Sequence, residues 1–467
     1  MKSMTEGNPL KLILLFMLPI LLGNIFHQIY ILSDLLILGH YLGIHALAVA
    51  GAMTPIFIMA IMTSLGFTNG LSIITAQRFG ANDIKNVRKS FAIGIVLSCL
   101  FALCVFLFLI FKMDLILKLM NVPEDIFIDS GRFMTTLSYG IVAIVFYNFL
   151  AGILRSLGDS KTPLYYLIFS SVLNIIINIT LIVKFNQDVT GVAFGTCIAQ
   201  FISAILCLSY MLIKYPMLRL RKEDFSFDFK YLLEHLKIAV PMTVQFSIIG
   251  LGVITVQSVC NQFGTGTIAA FSAATRIEQL TTMPLLSLGH ALTTYVAQNF
   301  GARLLRRIRQ GVLQCFILAS GTSIVLALIA FIYGKNMVSL FLNNPSEEIL
   351  SQSTTYIQIT TLFYIFLAQI FIFRQALQGM GRAIIPLISG IIELVMRWFT
   401  AFSLAAYMGY EGICYAGPIA WVSAAIFVMI SYFIVIKEFK ISLFGPLNQI
   451  SAIKRELQIR VQKRKKV

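Results

Sequence analysis

Residues 76–81 read AQRFGA and residues 297–302 read AQNFGA, a separation of 221. The same separation sets GIHALAVAGA (43–52) against GTGTIAAFSA (264–273) and GVAFGT (191–196) against GICYAG (412–417); LRSLGDSKTP (154–163) faces LQGMGRAIIP (377–386) at 223. Motifs that return in the same order at nearly constant spacing mark a duplicated unit. The sequence around them is 58% hydrophobic and only 12% charged, and its apolar runs exceed the roughly 20 residues that cross a bilayer as helix. Hydropathy and chain breakers give twelve candidate helices, at 11–38, 44–74, 90–111, 130–153, 162–184, 191–213, 234–260, 267–297, 309–333, 351–377, 383–408 and 412–436.

Each copy therefore holds six helices, and because six is even both copies enter the membrane in the same sense. The expected fold is an all-α polytopic membrane protein with twelve transmembrane helices in two pseudo-symmetric lobes, related by an axis along the membrane normal. The expected division is an N-terminal lobe at 1–214, a charged linker at 215–230, a C-terminal lobe at 231–440 and a basic tail at 441–467. The interface between two lobes able to rock is the natural place for a cavity.

Charge sets the orientation. Of the 36 Lys and Arg, 28 lie in the termini and the connections 75–90, 154–161, 214–237, 302–309 and 378–382, while the opposite connections hold Lys112, Lys118, Arg132, Lys184 and Lys335. By the positive-inside rule both termini are cytoplasmic, in a multi-pass protein of the plasma (inner) membrane. The net charge of +16 is thus a topology signal, and with no basic soluble domain no nucleic-acid partner is expected. The first apolar stretch is too long for a secretory signal and holds Pro19. The tail ISAIKRELQIRVQKRKKV (450–467) reads equally as a helix on anionic lipid or as a solvated end.

An acid interrupts the first span, LPILLGNIFHQIYILSDLLILG (18–39), at Asp34. Counted at ~1.5 Å per residue from Leu12 it lies about 33 Å along the helix, in the outer part. An interfacial acid touching water is one reading. The other rests on the helix wheel: Asn24, His27, Gln28 and Asp34 fall within an arc of about 120°, and such a polar stripe must turn from lipid toward the lobe interior. There, amides and hydroxyls can hydrogen-bond a carboxyl in either protonation state, so that one proton changes the packing of the helix. Pro19 removes a backbone hydrogen bond and supplies a hinge, although proline is also common in membrane helices. Across from Asp34, the fifth span puts Ser170, Asn174 and Asn178 on one face and the sixth opens with Thr196. These asparagines serve either a polar pocket or helix–helix adhesion.

The second lobe embeds Arg276 and Glu278 on different faces of the eighth span, Arg374 on the tenth, and Glu393 with Arg397 one turn apart on the eleventh. Their charges nearly balance, as buried charges must, and they either fix helix packing or take part in ion coupling. Asn24, His27, Gln28 and Gln245 are candidates to line a substrate cavity, and the 38 Phe and 18 Met suit an adaptable apolar one.

Other classes find less support. No GxxxxGK[ST] is present, so direct ATP drive is not supported. The seven cysteines lack metal-ligand spacing. His27, His40, His45, His235 and His290 are scattered, which disfavours a membrane transferase; a flippase for lipid-linked precursors remains the alternative transporter, and would need cations for pyrophosphate.

The opening P…NIFHQIY..SD…LG.YLG..ALA..GA resembles the multidrug and toxic compound extrusion (MATE) family, as do AQRFGA, GILRSLGDSKTP, TRIEQL..MP, AQNFGA and GIIELVMRW, spread over about residues 15–440; the details are similar to its DinF-like branch. The resemblance implies a V-shaped antiporter, expected as a monomer, that exports amphipathic, often cationic compounds in exchange for protons, with sodium the alternative ion and no other cofactor. It makes Asp34 the proton-coupling aspartate, with Asn174 and Thr196 in its network. Departures are Asn178 where the family has an acid, Phe133 for a tyrosine, and Gln245 for the seventh-helix acid of the NorM-like branch.

Overall fold

The computed structural model describes residues 3–225, 229–341 and 346–444, the side chains of 340, 341 and 440–444 excepted. The basic tail beyond Phe444, with the stretch expected on lipid, and positions 226–228 of the linker lie outside the described residues. The first lobe comprises α1 (Pro9–Ile37), α2 (Gly43–Gly80), α3 (Ile84–Leu119), α4 (Glu124–Ser156), α5 (Lys161–Ile179) and α6 (Val189–Lys214). The second comprises α7 (Phe229–Cys260), α8 (Thr265–Gly301), α9 (Leu305–Phe341), α10 (Glu347–Thr361), α11 (Tyr364–Gly379), α12 (Ile384–Met408), α13 (Tyr410–Cys414) and α14 (Ala416–Phe444). With α10 and α11 taken as one span, and α13 and α14 as another, the fourteen α-helices among the described residues make twelve crossings.

The tenth crossing is not the single helix expected at 351–377. It bends by 53° between α10 and α11. Thr360 and Thr361 lie just before the break, and their hydroxyls bond back to the carbonyls of Tyr356 and Gln358. Such side-chain competition for helix carbonyls bends helices.

The lobes meet at the end that bears the basic connections, here called the basic end. There the duplicated motif packs against its own copy. A Cβ on Gly80 would fall on the Gln298 carbonyl, and a Cβ on Gly301 would fall on the Gln77 carbonyl. That closeness lets each glutamine reach into the other lobe: Gln77 Nε2 donates to the Gly379 carbonyl at 2.9 Å and Gln298 Nε2 to the Ser156 carbonyl at 2.8 Å. Ser156 and Gly379 are themselves repeat mates at 223 residues, so the pair forms a twofold latch. Beside it α2 meets α7 through the GxxxG glycines Gly66 and Gly70, which lie against the backbone of Met242 and Ala239.

Helix α1 belongs to both lobes. Its first half sends Ile13 and Phe16 into the core built by α8, α9, α11 and α14, whereas Ile37 packs in the first lobe. The preceding segment is clasped by the second lobe: Met4 N–H donates to Gln298 Oε1 at 2.8 Å, and Asn299 and Arg307 donate to the Met4 carbonyl. Pro19 is buried in an unbroken helix, between the part held by one lobe and the part held by the other.

The α4–α5 connection turns at Gly158, φ +84°, a left-handed position that favours glycine. Asp159 then accepts from Tyr215 Oη at 2.6 Å, Thr162 N at 3.0 Å and Thr162 Oγ1 at 2.7 Å. Burial works against the Asp159 charge, but Tyr215, Thr162 and Lys214 outweigh it and hold the carboxyl below the usual carboxylate range. Because the folded pKa is depressed, this tie stabilises at neutral pH and is lost as pH falls through that range.

Gly301→Val should lower the thermal unfolding midpoint in detergent by several degrees, since overpacking costs about 1–3 kcal/mol. Gly321→Val, at a glycine with open space around its Cβ position, should leave it unchanged; equal shifts would contradict the latch. Asp159→Asn should be destabilised at neutral pH, and its midpoint should fall less than that of the parent protein as the pH drops from about 5 to about 3, below the ordinary carboxylate pKa.

Candidate functional site

The carboxylate of Asp34 lies in the first lobe between α1, α5 and α6. Asn178 Nδ2 donates to Asp34 Oδ1 at 2.8 Å and to Asn174 Oδ1 at 3.1 Å. Asn174 reaches Thr196 Oγ1 at 3.2 Å, and Tyr30 Oη donates to the same hydroxyl at 3.2 Å. Four of the residues singled out by sequence, Asp34, Asn174, Asn178 and Thr196, thus form one connected cluster, in which both asparagines are fully buried. Helical spacing makes this local: Asn174 and Asn178 are one turn apart, as are Tyr30 and Asp34.

Two members were not singled out by sequence. Tyr30 lies one turn before Asp34, at the end of the stretch NIFHQIY. Gly195 precedes Thr196, and a Cβ there would fall on Asn178 Oδ1, so its absence gives the asparagine its seat. Phe133, where the resemblance leads one to expect a tyrosine, packs in the apolar core of this lobe.

The polar stripe of α1 does not act as a unit. Asn24 crosses to the second lobe and donates to Ser287 Oγ at 3.0 Å. His27 stacks near Tyr30, ring centroids 6.2 Å apart, and Gln28 is half-buried with no hydrogen bond among the described residues. Because α1 passes from one lobe to the other, successive positions on the same face meet different neighbours. Gln245 is buried and accepts from Gln378 Nε2 at 2.9 Å; Ser170 is buried on α5.

In the second lobe Glu393 binds two arginines, Arg397 on its own helix at 2.7 Å and Arg374 of α11 at 2.8 Å. Side-chain exposures of 7% for Glu393, 7% for Arg374 and 12% for Arg397 make this a buried triad. Glu278 accepts from Tyr356 Oη of α10 at 2.8 Å, so it does find a partner on another helix. Arg276 is exposed and forms no ion pair among the described residues, so it stands outside the buried charge network of this lobe. No cluster of three or more metal-ligating side chains occurs among the described residues.

Glu393→Gln would leave Arg374 and Arg397 buried without their counter-charge and should destabilise the protein by about 3–5 kcal/mol. Arg382→Gln, whose ion pair with Glu438 is about half exposed, should cost less than about 1 kcal/mol. Denaturant unfolding in detergent compares the two, and equal losses would show that the triad is not a buried ionic centre.

Comparison with known proteins agrees with this architecture. The family model MatE matches residues 19–180 and 241–403, once in each half of the chain. Among curated proteins, the probable multidrug resistance protein YpnP of Bacillus subtilis is 28% identical over 415 residues, covering 88% of this chain and 91% of YpnP. YoeA of the same organism, also a probable multidrug resistance protein, is 28% identical over 449 residues, 92% and 94% of the two chains. A solved structure described as the outward-facing conformation of a multidrug resistance MATE family transporter superposes with a TM-score of 0.87 at 22% identity, over 94% of this chain and 98% of that one. With both repeats matched and the two-lobed fold shared along nearly its whole length, the chain belongs to the MatE family.

Proposed function

We propose that the protein is a multidrug efflux transporter that exports amphipathic compounds, cationic dyes among them, in exchange for protons taken up at Asp34. It acts as a monomer in the plasma membrane, with the basic end and both termini toward the cytoplasm, lipid as its surroundings and an ion gradient in place of any cofactor. The first-lobe cluster around Asp34 carries this reading.

That cluster has two hydrogen-bonding arrangements, which differ in the orientation of the Asn174 amide. The amide atom of Asn174 that faces Asp34 lies 2.8 Å from Oδ1. If that atom is oxygen, a proton must sit between the two oxygens, Asp34 is neutral, and the Asn174 amide nitrogen donates to Thr196. If it is nitrogen, it donates to an ionised Asp34, Asn174 oxygen accepts from the Thr196 hydroxyl at 3.2 Å, and the bond from Asn178 is given up, because two amide nitrogens then face each other at 3.1 Å. The amide orientation follows the proton, because an oxygen–oxygen contact of this length without hydrogen is repulsive and the nitrogen cannot accept.

Protonation therefore reverses the direction of the Asn174–Thr196 bond, which joins α5 to α6. Tyr30 ties the same hydroxyl to α1. A proton arriving at Asp34 also removes the charge that the cluster's amides solvate, and the change is felt along α1, the helix shared by both lobes. We infer that this couples proton binding to lobe movement, with Pro19 as the point where α1 yields.

The test is transport of a cationic dye into proteoliposomes under an imposed pH gradient. Proton-driven flux should fall at least about tenfold in Asp34→Asn, the change expected if one essential charge is lost, and a sodium gradient alone should not replace the proton gradient. Undiminished pH-driven flux in Asp34→Asn would refute coupling at this residue; flux driven by sodium alone would replace the proton with sodium.

A further inference from the structure

A cavity of about 170 Å³ lies between the lobes, just beyond the latch. At ~30 Å³ per water it has room for about five. Its walls come from α1, α2 and α4 of the first lobe and α7, α8 and α11 of the second. The lining is paired by the repeat: Asn69 with His290, Ser72 with Thr293, and Ala76 with Ala297 at 221 residues, Arg155 with Gln378 and Gly152 with Gln375 at 223. The cavity therefore sits on the pseudo-twofold axis.

The two repeats have diverged here in one direction. Arg155 and His290 replace what would be symmetric amides, and neither Asp nor Glu lines the cavity. Arg155 makes a single described hydrogen bond, Nη2 to Asn69 Oδ1 at 3.4 Å, and no ion pair among the described residues. A guanidinium has five N–H donors, so most of them remain available to the cavity. Gln375 uses its oxygen to accept from Thr293 at 2.6 Å, which leaves its amide nitrogen as a further donor. Arginine, imidazole and amide donors converge on one space from two lobes, with no protein acid to neutralise them.

An arginine set away from bulk water without a carboxylate is costly unless an anion is supplied, and its planar fork matches an oxyanion in a bidentate fashion. We propose that this axial cavity is a binding site for a single oxyanion group, a carboxylate or phosphate, held by Arg155 from the first lobe and by His290 and Gln375 from the second. The site is distinct from the Asp34 cluster, and its occupancy does not depend on proton coupling. Its ligand bridges the lobes, so it binds the closed basic end seen here more tightly than a state in which the lobes part. The oxyanion belongs either to a small acid or to the headgroup of an anionic lipid.

The intact protein in neutral detergent, with no gradient, tests the site by titration with inorganic phosphate and with hexanoate, read by calorimetry and by the unfolding midpoint. Saturable binding is expected. Arg155→Gln should weaken it at least about tenfold, Arg155→Lys should lose less because the charge is retained, and Gln375→Glu should abolish it by giving Arg155 an internal partner. Nanodiscs of phosphatidylcholine with and without phosphatidylglycerol separate the sources. Stabilisation by the soluble anions in phosphatidylcholine alone identifies a small acid; stabilisation by phosphatidylglycerol alone identifies a headgroup, provided that it too depends on Arg155. No saturable response to either source, or a response in Arg155→Gln and Gln375→Glu equal to that of the parent protein, would overturn the site. Dye transport reports separately on the efflux reading, since it can fail while anion binding persists.

Discussion

The architecture depends on two backbones coming closer than any side chain permits. Where AQRFGA meets AQNFGA, Gly80 and Gly301 each lie on the other motif's glutamine carbonyl. Hydrocarbon offers no hydrophobic force to hold one membrane helix against another, so packing and interhelical hydrogen bonds must do it. The latch uses both. The glycines allow contact, and Gln77 and Gln298 convert it into bonds that cross the lobe boundary. Everything on the axis is placed by that contact, including the cavity above it and the clasp on Met4 that shares Gln298.

Against this symmetric frame the polar groups are distributed unequally. The first lobe keeps one acid surrounded by amides and hydroxyls, an arrangement that tolerates both charge states. The second lobe has Glu393 locked between two arginines, a centre whose net charge is fixed by pairing and which suits rigidity better than exchange. Glu278, held by a tyrosine rather than by a cation, lies between these extremes. One half of the molecule is thus suited to respond and the other to hold, a division that duplication followed by divergence can produce without altering the helices.

Much of the fold was legible because membrane helices declare themselves by length and composition, and because a repeat is visible without any structure. The pairing of Asp34 with α5 and α6 was legible for the same reason: Asn174 and Asn178 repeat at one helical turn. What was not legible depended on contacts between distant segments. Asn24 lies on the face that points to Asp34, yet it meets Ser287, because α1 changes lobes part of the way along. Arg276 had no local signal for its exposure, and the bend after Thr361 required hydroxyls whose targets a sequence does not show. Gly66 and Gly70 carried a readable GxxxG, but its partner on α7 could not be named.

The seat of α1 bears on how the chain is made. Helix α1 packs its opening half on α8, α9, α11 and α14, and Met4 is bound by a side chain 294 residues downstream. At about 5–20 residues per second, translation must run for roughly 15–60 s before that partner exists. During this interval Ile13 and Phe16 are in the bilayer without their final surroundings, whereas the partners of Asp34 on α5 and α6 are made sooner. Biogenesis of this protein must therefore include a late docking event in which α1 is gathered in by helices made long after it.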